Sequence, residues 1–184
     1  MQIIDQFLSE DDFEWIFLEV NAHDRGWHPS EILSASYISG CLRDKGRLIL
    51  DPLQNLQFCF KLKGDEEYIQ PLLKKLGAKK IERIKVNMTM NTKKHIHHGF
   101  HVDFADDWMG TNPWPCKTAI FYINTNNGYT EFEETGEKVL SVANRVCIFD
   151  NGLQHAGVTT TDTINRIVMN VNYYTESDPY NENK

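Results

Sequence analysis

Two segments among the first 80 residues repeat apolar positions at helical spacing. In the first, these positions recur at intervals of three and four residues: Phe13, Ile16, Phe17 and Val20. Ser9 precedes this stripe and Asp12 follows three residues later, which is the spacing of a capping box at a helix start. A second helix is predicted at residues 66–76, with Pro71 near its first turn and Gly77 ending it.

The rest of the chain favours β-strands. A short apolar run lies at residues 48–50, and two further stretches alternate with period two: Phe58, Phe60 and Leu62, and then Ile84, Val86, Met88 and Met90. Five later strands are predicted, separated by turn residues such as Asn126, Asn127 and Gly128, at residues 117–124, 129–133, 138–142, 145–149 and 166–174. Helices followed by many short strands predict an α+β, mainly β domain with a sandwich or barrel.

Composition narrows the class of protein. The chain has 184 residues, a formal net charge of −7 and 41% hydrophobic residues, which suits one folded domain. No run approaches the roughly 18–20 apolar residues of a membrane span, so we expect no membrane partner. Acidic residues outnumber basic ones, 26 to 19, which argues against a nucleic-acid partner bound mainly by charge. Composition says nothing about oligomeric state.

The cysteines and the first residues bear on the compartment. Four cysteines, Cys41, Cys59, Cys116 and Cys147, are far apart and form no zinc or redox pair. Cys59 and Cys147 lie in apolar, strand-like runs, which favours reduced and buried thiols. The first residues carry no basic segment followed by an apolar one, so they predict no secretory signal. We therefore expect a cytoplasmic protein.

A histidine cluster offers metal-binding chemistry. Four of the seven histidines lie between residues 95 and 101. On an extended chain, His101 and Asp103 point to the same face and can take adjacent positions on one metal ion. His155, after a strand and a turn, can supply a third ligand. Two histidines and one carboxylate leave three coordination positions open, an arrangement that suits non-haem Fe(II).

A basic residue follows this set. Arg166 begins a predicted strand, with Val168 and Asn170 on its face and Ile167 and Met169 on the other. A buried guanidinium is costly unless it meets an anion, and a dicarboxylate could supply one by bidentate pairing.

In order, His101, Asp103, His155 and Arg166 resemble the motif of the Fe(II)/2-oxoglutarate-dependent dioxygenases. The resemblance is to the prolyl-4-hydroxylase-like branch and its small stand-alone bacterial and phage enzymes. Further matching stretches lie at residues 118–124, 128–132 and 144–149, so the resemblance covers roughly residues 83–174. It implies a double-stranded β-helix (jelly roll) at 83–174, buttressed by N-terminal helices within residues 1–80. Residues 176–184 would form a polar tail of the same 1–184 domain.

The resemblance also implies a reaction. His101, Asp103 and His155 would hold Fe(II), and Arg166 with Tyr122 would bind the far carboxylate of 2-oxoglutarate. O₂ would be the oxidant, with succinate and CO₂ as co-products. The carboxylate at Asp103 favours hydroxylation over halogenation, because the family's halogenases lack it. The branch suggests peptidyl proline as substrate. A free amino acid or another small molecule is the alternative, as is a non-catalytic metal-binding jelly roll that acts as an interaction module.

This chain departs from the branch at two places. The strand before the His101 motif commonly carries a tyrosine that contacts the cosubstrate, and here it offers Asn87 and Thr89. The basic residue after the distal histidine is often lysine, and here it is Arg166. Neither departure touches the metal ligands, so both bear on the cosubstrate and substrate contacts.

Other residues near the motif have competing interpretations. Trp108 and Trp114 lie in the loop after Asp103, where they could bind substrate or simply pin the loop. We expect three histidines to be solvated after the lysine-rich turn: His95, His97 and His98. A rival, cupin-like site would use the first two of these with His101, but it lacks the expected glutamate. Trp15 and Trp27 are predicted to pack in or beside the core.

Overall fold

The structure is a computed structural model and describes residues 1–22, 26–31, 56–106 and 113–178. Its elements, in chain order, are β1 (Gln2–Ile4), α1 (Glu10–Val20), β2 (His28–Glu31), β3 (Leu56–Leu62), a 3-10 turn (Glu67–Ile69), α2 (Gln70–Leu76), β4 (Lys80–Met90), β5 (Lys117–Tyr122), β6 (Tyr129–Phe132), β7 (Lys138–Leu140), β8 (Arg145–Asp150), β9 (His155–Val158) and β10 (Asn165–Tyr174). The prediction of a mainly β chain with N-terminal helices is confirmed. The run predicted at residues 48–50 lies outside the described residues.

Both predicted helices are present, but the second begins at Gln70, because residues Glu67–Ile69 of the predicted 66–76 segment form the 3-10 turn. The Ser9 side chain accepts a hydrogen bond from the Asp12 backbone N–H, so it caps α1. Pro71 lies in the first turn of α2, and Gly77 ends this helix with a positive φ of 68°. The α1 stripe is only partly buried, because Phe17 remains 39% exposed at its edge.

The strands form two antiparallel sheets. The large sheet has seven strands in the order β1-β8-β5-β10-β4-β3-β2, and the small sheet has three in the order β7-β6-β9. An apolar cluster joins the inner face of the large sheet to the small sheet: Ile120, Tyr122, Cys147, Phe149 and Val168 from the former, and Phe132 and Val139 from the latter. The two sheets therefore enclose an interior between them.

Alternation along the central strands separates two environments. On β10, Ile167, Met169 and Val171 face outward and join the core formed with both helices. Arg166 and Asn172 face the interior between the sheets, where both are buried. Strand β10 pairs with β4 on one side and β5 on the other. The side chains of these two strands therefore also alternate between the outer core and the interior. The outer core stabilises the fold, while the inner face carries polar groups.

Helices α1 and α2 cover the outer face of the large sheet. Ile16 and Val20 from α1, with Leu72 from α2, are fully buried in the outer core. Burying each such side chain contributes roughly 1.5–3 kcal/mol. The helices thus brace the sheet from behind and leave its inner face to the site.

The structure also bears on the predictions made for the tryptophans, the cysteines and a membrane span. Trp15 is 43% exposed and therefore lies outside the core, whereas Trp27 packs edge-on against Phe60. Of the cysteines in the described segments, Cys59, Cys116 and Cys147 are free thiols. Neither described helix is long and apolar enough to cross a membrane.

The N-terminal segment is fastened to the turn before β8. Asn144 has a positive φ of 61° and binds the Leu8 backbone twice. Its Nδ2 donates to the Leu8 carbonyl at 2.9 Å, and its Oδ1 accepts from the Leu8 N–H at 2.9 Å. The backbone N–H of Phe7 also donates to the Asn144 carbonyl. Asparagine tolerates this left-handed conformation better than residues without a short polar side chain.

We expect Asn144→Ala to lower the free energy of unfolding by about 2–4 kcal/mol. The variant loses two hydrogen bonds of about 1 kcal/mol each and places alanine, which tolerates the left-handed region less well than asparagine, at this position. Asn144→Gly loses the same hydrogen bonds without that steric cost, so it should be less destabilised. Urea denaturation of the three proteins measures the difference, and equal losses for both variants would contradict the role given to the backbone conformation.

Candidate active site

Three predicted metal ligands converge at one end of the interior. The ligand atoms of His101, Asp103 and His155 all lie within 4.8 Å of one another. Backbone pairing causes this, because His101 and His155 exchange two N–H···O hydrogen bonds of 3.0 Å across an antiparallel bridge. Asp103 follows two residues after His101, so its carboxylate falls on the same side.

Both imidazoles present Nε2 to the common centre. His155 Nδ1 lies 3.0 Å from the Leu153 carbonyl, and His101 Nδ1 lies 3.3 Å from the Gly99 carbonyl. A carbonyl oxygen can only accept, so each Nδ1 carries a hydrogen, and in the neutral ring Nε2 is the nitrogen with the lone pair. Such backbone contacts also hold the rings in orientation.

The protonation states suit a cation. Burial, together with the nearby His101, lowers the pKa of His155 to about 4, so His155 is neutral near pH 7. Burial alone would raise the pKa of Asp103, yet Arg83, the two histidines and the Asn172 hydrogen bond together hold it well below its usual range. The centre therefore offers a neutral nitrogen of His155 and the ionised carboxylate of Asp103, beside the imidazole of His101.

One atom of this centre is an orphan. His155 Nε2 is buried without a hydrogen-bond partner, although a lone buried polar atom is costly. The rings of Phe132 and Phe149 lie around the imidazole, with the Phe149 centroid 4.9 Å away. A bound metal ion would satisfy this lone pair, and the donor set matches the two-histidine, one-carboxylate pattern of non-haem Fe(II). The residues present fit that metal.

The Asp103 carboxylate is held by a network that sequence reasoning missed. Asn172 Nδ2 donates to Asp103 Oδ2 at 2.8 Å and also lies 2.9 Å from Thr118 Oγ1. Arg83 pairs with Asp103 Oδ1 at 2.9 Å, donates to Asn172 Oδ1 and lies over the Phe104 ring. The alternation of β4 and β10 could have placed Arg83 and Asn172 inside, but nothing in their sequence positions indicated a shared partner.

Arg166 lies at the other end of the interior, where it is 5% exposed. Its Nε donates to Ser141 Oγ at 2.8 Å, and one terminal nitrogen donates to Thr130 Oγ1 at 3.1 Å. No carboxylate in the described part of the chain lies within ion-pair distance of it. Burial lowers the pKa of Arg166, yet its ordinary value is so high that the charge persists.

Tyr122 borders the same guanidinium. The Arg166 guanidinium lies 5.7 Å from the Tyr122 ring centroid, and the Tyr122 hydroxyl donates to Thr130 Oγ1 at 2.9 Å. Burial raises the pKa of Tyr122, so the phenol stays protonated. Gly128 is needed here, because a β-carbon on it would come within 2.6 Å of Arg166 Cδ and 2.9 Å of a backbone carbonyl. The structure thus brings the two predicted cosubstrate residues together in one corner of the interior.

Asn87 and Thr89, which stand where the family commonly has a tyrosine, also face this interior. Thr89 lies opposite Arg166 in the β4–β10 register, and Asn87 lies opposite Val168. Thr89 Oγ1 and Asn87 Oδ1 are both buried without a hydrogen-bond partner. Whether either contacts the cosubstrate stays a prediction, but both atoms are placed to meet a polar ligand.

The remaining tryptophan and histidine candidates differ in their exposure and contacts. Trp114 stacks on Phe104 and donates to Asp106 Oδ1 at 2.9 Å, which favours a loop pinned by its own aromatic residue. Trp108 lies outside the described residues. His95 and His97 are exposed as predicted. The prediction that His98 is solvated is wrong, because it is 3% exposed and its backbone N–H binds the Gly157 carbonyl.

Asn151 is a further positioning residue without a signal in the sequence pattern. It is fully buried, and its Nδ2 donates to the carbonyls of Phe104 and Trp114 at 2.7 and 3.1 Å. Its Oδ1 accepts from the Phe104 N–H. One side chain in the turn after β8 therefore fixes both ends of the loop that follows Asp103.

Comparison with known proteins identifies solved structures that share this fold. No family model and no curated protein sequence matches the chain. A viral collagen prolyl hydroxylase from Paramecium bursaria Chlorella virus-1, in complex with 2OG, is 16% identical with a TM-score of 0.57. That match covers 95% of this chain and 94% of the viral one. A Trichoplax adhaerens prolyl hydroxylase, in complex with a hypoxia inducible factor peptide fragment, is 14% identical with a TM-score of 0.64, covering 95% and 83%.

A third neighbour has a different activity. The epimerase SnoN, in complex with Fe3+, alpha ketoglutarate and nogalamycin RO, is 11% identical with a TM-score of 0.61, covering 97% of this chain and 80% of SnoN. At such identities the likeness concerns architecture. The predicted jelly roll is confirmed: the chain has the double-stranded β-helix fold of the prolyl hydroxylases and other 2OG-Fe(II) oxygenases.

Proposed function

We propose that this protein is an Fe(II)- and 2-oxoglutarate-dependent dioxygenase that hydroxylates an organic substrate. With the metal bound, the chemistry converts R–H, 2-oxoglutarate and O₂ into R–OH, succinate and CO₂. The observation that carries the proposal is the buried, unpartnered Nε2 of His155, which shares a centre with His101 and an ionised Asp103. These three residues are the proposed Fe(II) ligands.

The protein's own part at the metal is ligation and orientation. Backbone carbonyls fix both imidazoles, while Arg83 and Asn172 hold the carboxylate of Asp103. Arg83 also compensates the charge of Asp103 when no cation is present, so the buried carboxylate is never unpaired. Phe132 and Phe149 exclude water from the side of His155.

Arg166 is proposed to bind the far carboxylate of 2-oxoglutarate. Its guanidinium is buried beside Ser141 and Thr130, and the described residues supply no anion to it. The Tyr122 hydroxyl, kept protonated by burial, lies in the same corner and shares Thr130. A dicarboxylate that reaches from the metal centre to this corner would satisfy the buried charge.

The substrate class stays open between two kinds of molecule. The Trichoplax neighbour is in complex with a peptide fragment, and SnoN is in complex with nogalamycin RO. Peptidyl proline is the proposal suggested by the prolyl hydroxylases, and a free amino acid or small molecule is the other. No membrane or nucleic-acid partner is invoked.

Anaerobic protein with Fe(II) and 2-oxoglutarate should develop a weak visible charge-transfer band, and O₂ should then release succinate. The band reports chelation of 2-oxoglutarate to protein-bound iron. His101→Ala and His155→Ala should each abolish it, whereas His95→Ala, at an exposed histidine, should keep it. Absence of the band in the native chain would refute the proposal. A band without succinate or product would instead indicate a metal-binding interaction module.

Arg166→Ala should weaken the binding of 2-oxoglutarate roughly 30-fold or more, because truncating a buried charge partner costs about 2–5 kcal/mol. Metal affinity should change little, since Arg166 lies at the other end of the interior. Titration of the band with 2-oxoglutarate, and of the apoprotein with Co(II), separates the two effects. Arg166→Lys keeps the positive charge and should therefore lose less of the affinity for 2-oxoglutarate. Equal loss of metal and cosubstrate would make Arg166 a structural residue.

Asn172→Leu should weaken Co(II) binding about 10- to 100-fold, the usual cost of removing a hydrogen bond to a metal ligand. The variant keeps the size of the side chain but removes the donor to Asp103 Oδ2. Asn170→Leu is the matched control, because this residue lies on the same face of β10 without a hydrogen bond to Asp103. Calorimetry measures the affinity of both variants for Co(II). Similar affinities for the two variants would contradict the role given to Asn172.

A further inference from the structure

One part of the inner face lies beyond the cosubstrate corner. It comprises the inward residues of β3 and β4 next to the metal centre, which we call the β3–β4 wall: Cys59, Lys61, Arg83 and Lys85. The outward neighbours on these strands, such as Phe60, Ile84 and Val86, are buried in the outer core, which fixes the direction of the wall. Lys61 is exposed and Lys85 is half-buried, so the wall opens to solvent.

Lys85 is close to the metal centre by register. Asn170 is its partner across β4 and β10, and the next inward pair is Arg83 with Asn172. Both members of that second pair contact Asp103. Successive inward residues on a strand are about 7 Å apart, which a lysine side chain can span. The ammonium of Lys85 is therefore within reach of a molecule held beside the metal.

The described residues leave the charge of Lys85 without an ion-pair partner. No carboxylate in the described segments lies within ion-pair distance of it. The wall carries Lys61, Arg83 and Lys85, while its adjacent acid, Asp103, is already engaged by Arg83. Burial lowers the pKa of Lys85, and Asp103 acts in the opposite direction. A protein with a net charge of −7 thus concentrates cations on the face that leads to its metal centre.

Asn170 adds a second unmet group beside this charge. Its Oδ1 is buried without a hydrogen-bond partner. An amide oxygen only accepts, so an N–H or O–H donor must satisfy it, while Lys85 needs an acceptor, preferably an anion. One ligand that meets both would carry an anionic group and a neighbouring donor.

From these contacts we infer that the primary substrate carries a carboxylate that pairs with Lys85 and an N–H or O–H group that donates to Asn170. The class is an amino or hydroxy carboxylic acid, either free or at the C-terminus of a peptide. The inference rests on the proposed function, because it names the substrate class of the same site. The 2-oxoglutarate ligand is assigned to the Arg166 corner, so Lys85 is not needed for it.

The test uses protein loaded with Fe(II) and 2-oxoglutarate. The probes are the proteinogenic L-amino acids, their C-terminal amides, and a proline-containing peptide prepared as the free acid and as the amide. Succinate release above the substrate-free rate, and a mass gain of one oxygen atom, identify substrates. At least one free acid should respond, and its amide should have a KM at least about 10-fold higher. A response of the peptide acid alone would place the carboxylate at a peptide C-terminus.

Lys85→Met should raise the KM of the responding acid about 10-fold or more, while the KM of its amide and the 2-oxoglutarate titration stay unchanged. Lys85→Arg should restore part of the loss. Asn170→Leu should raise the KM of the same acid, and Lys79→Met, at an exposed lysine paired with Glu176, is the control.

Three results in the substrate assays would overturn the inference, and a fourth comes from the 2-oxoglutarate titration. The first three are equal KM values for acid and amide, an unchanged KM in Lys85→Met, and no response to any carboxylate probe. Loss of 2-oxoglutarate binding in Lys85→Met would also overturn it, because Lys85 would then serve the cosubstrate. If the charge-transfer band forms but no carboxylate responds, the inference fails alone. If the band does not form, the proposed function itself fails.

Discussion

The pairing of β10 between β4 and β5 is the constraint on which the rest of the structure depends. Backbone hydrogen bonds on both sides hold this strand in one register, so its side chains alternate between two environments. Ile167 and Met169 face the helices and are buried in the outer core. Arg166 and Asn172 face the interior. A slip of one residue would exchange these sets and destroy both the core and the site.

The interior tolerates charge because each charged group has a specific environment. Asp103 is held by Arg83 and Asn172, while Arg166 donates to hydroxyl groups that accept its hydrogen bonds but do not neutralise its charge. Isolated buried charges are costly, so positions that keep one are poised for a ligand of opposite charge. The proposed metal centre and the Arg166 corner lie at opposite ends of one interior, which matches a ligand with two anionic ends.

Local patterns predicted much of the fold because local physics controls those parts. Ser9 caps α1 and Gly77 ends α2 through contacts within a few residues, and period-two alternation located most strands. Strands β1, β2 and β9 were not predicted. Strand β9 has only four residues, and β1 is an exposed edge strand of three, so neither carries a periodic signal of useful length. Their pairing with distant strands, rather than their own sequence, makes them strands.

The sequence by itself determined which residue types could perform the chemistry: two histidines, a carboxylate and an arginine in the order of a known motif. Only the tertiary structure decided that His101 and His155 meet across a bridge, and that Arg83 and Asn172 both hold Asp103. The physical reason is separation along the chain, because such contacts join strands that lie tens of residues apart. Periodicity reports which face a side chain takes, but sheet register alone decides what it meets there.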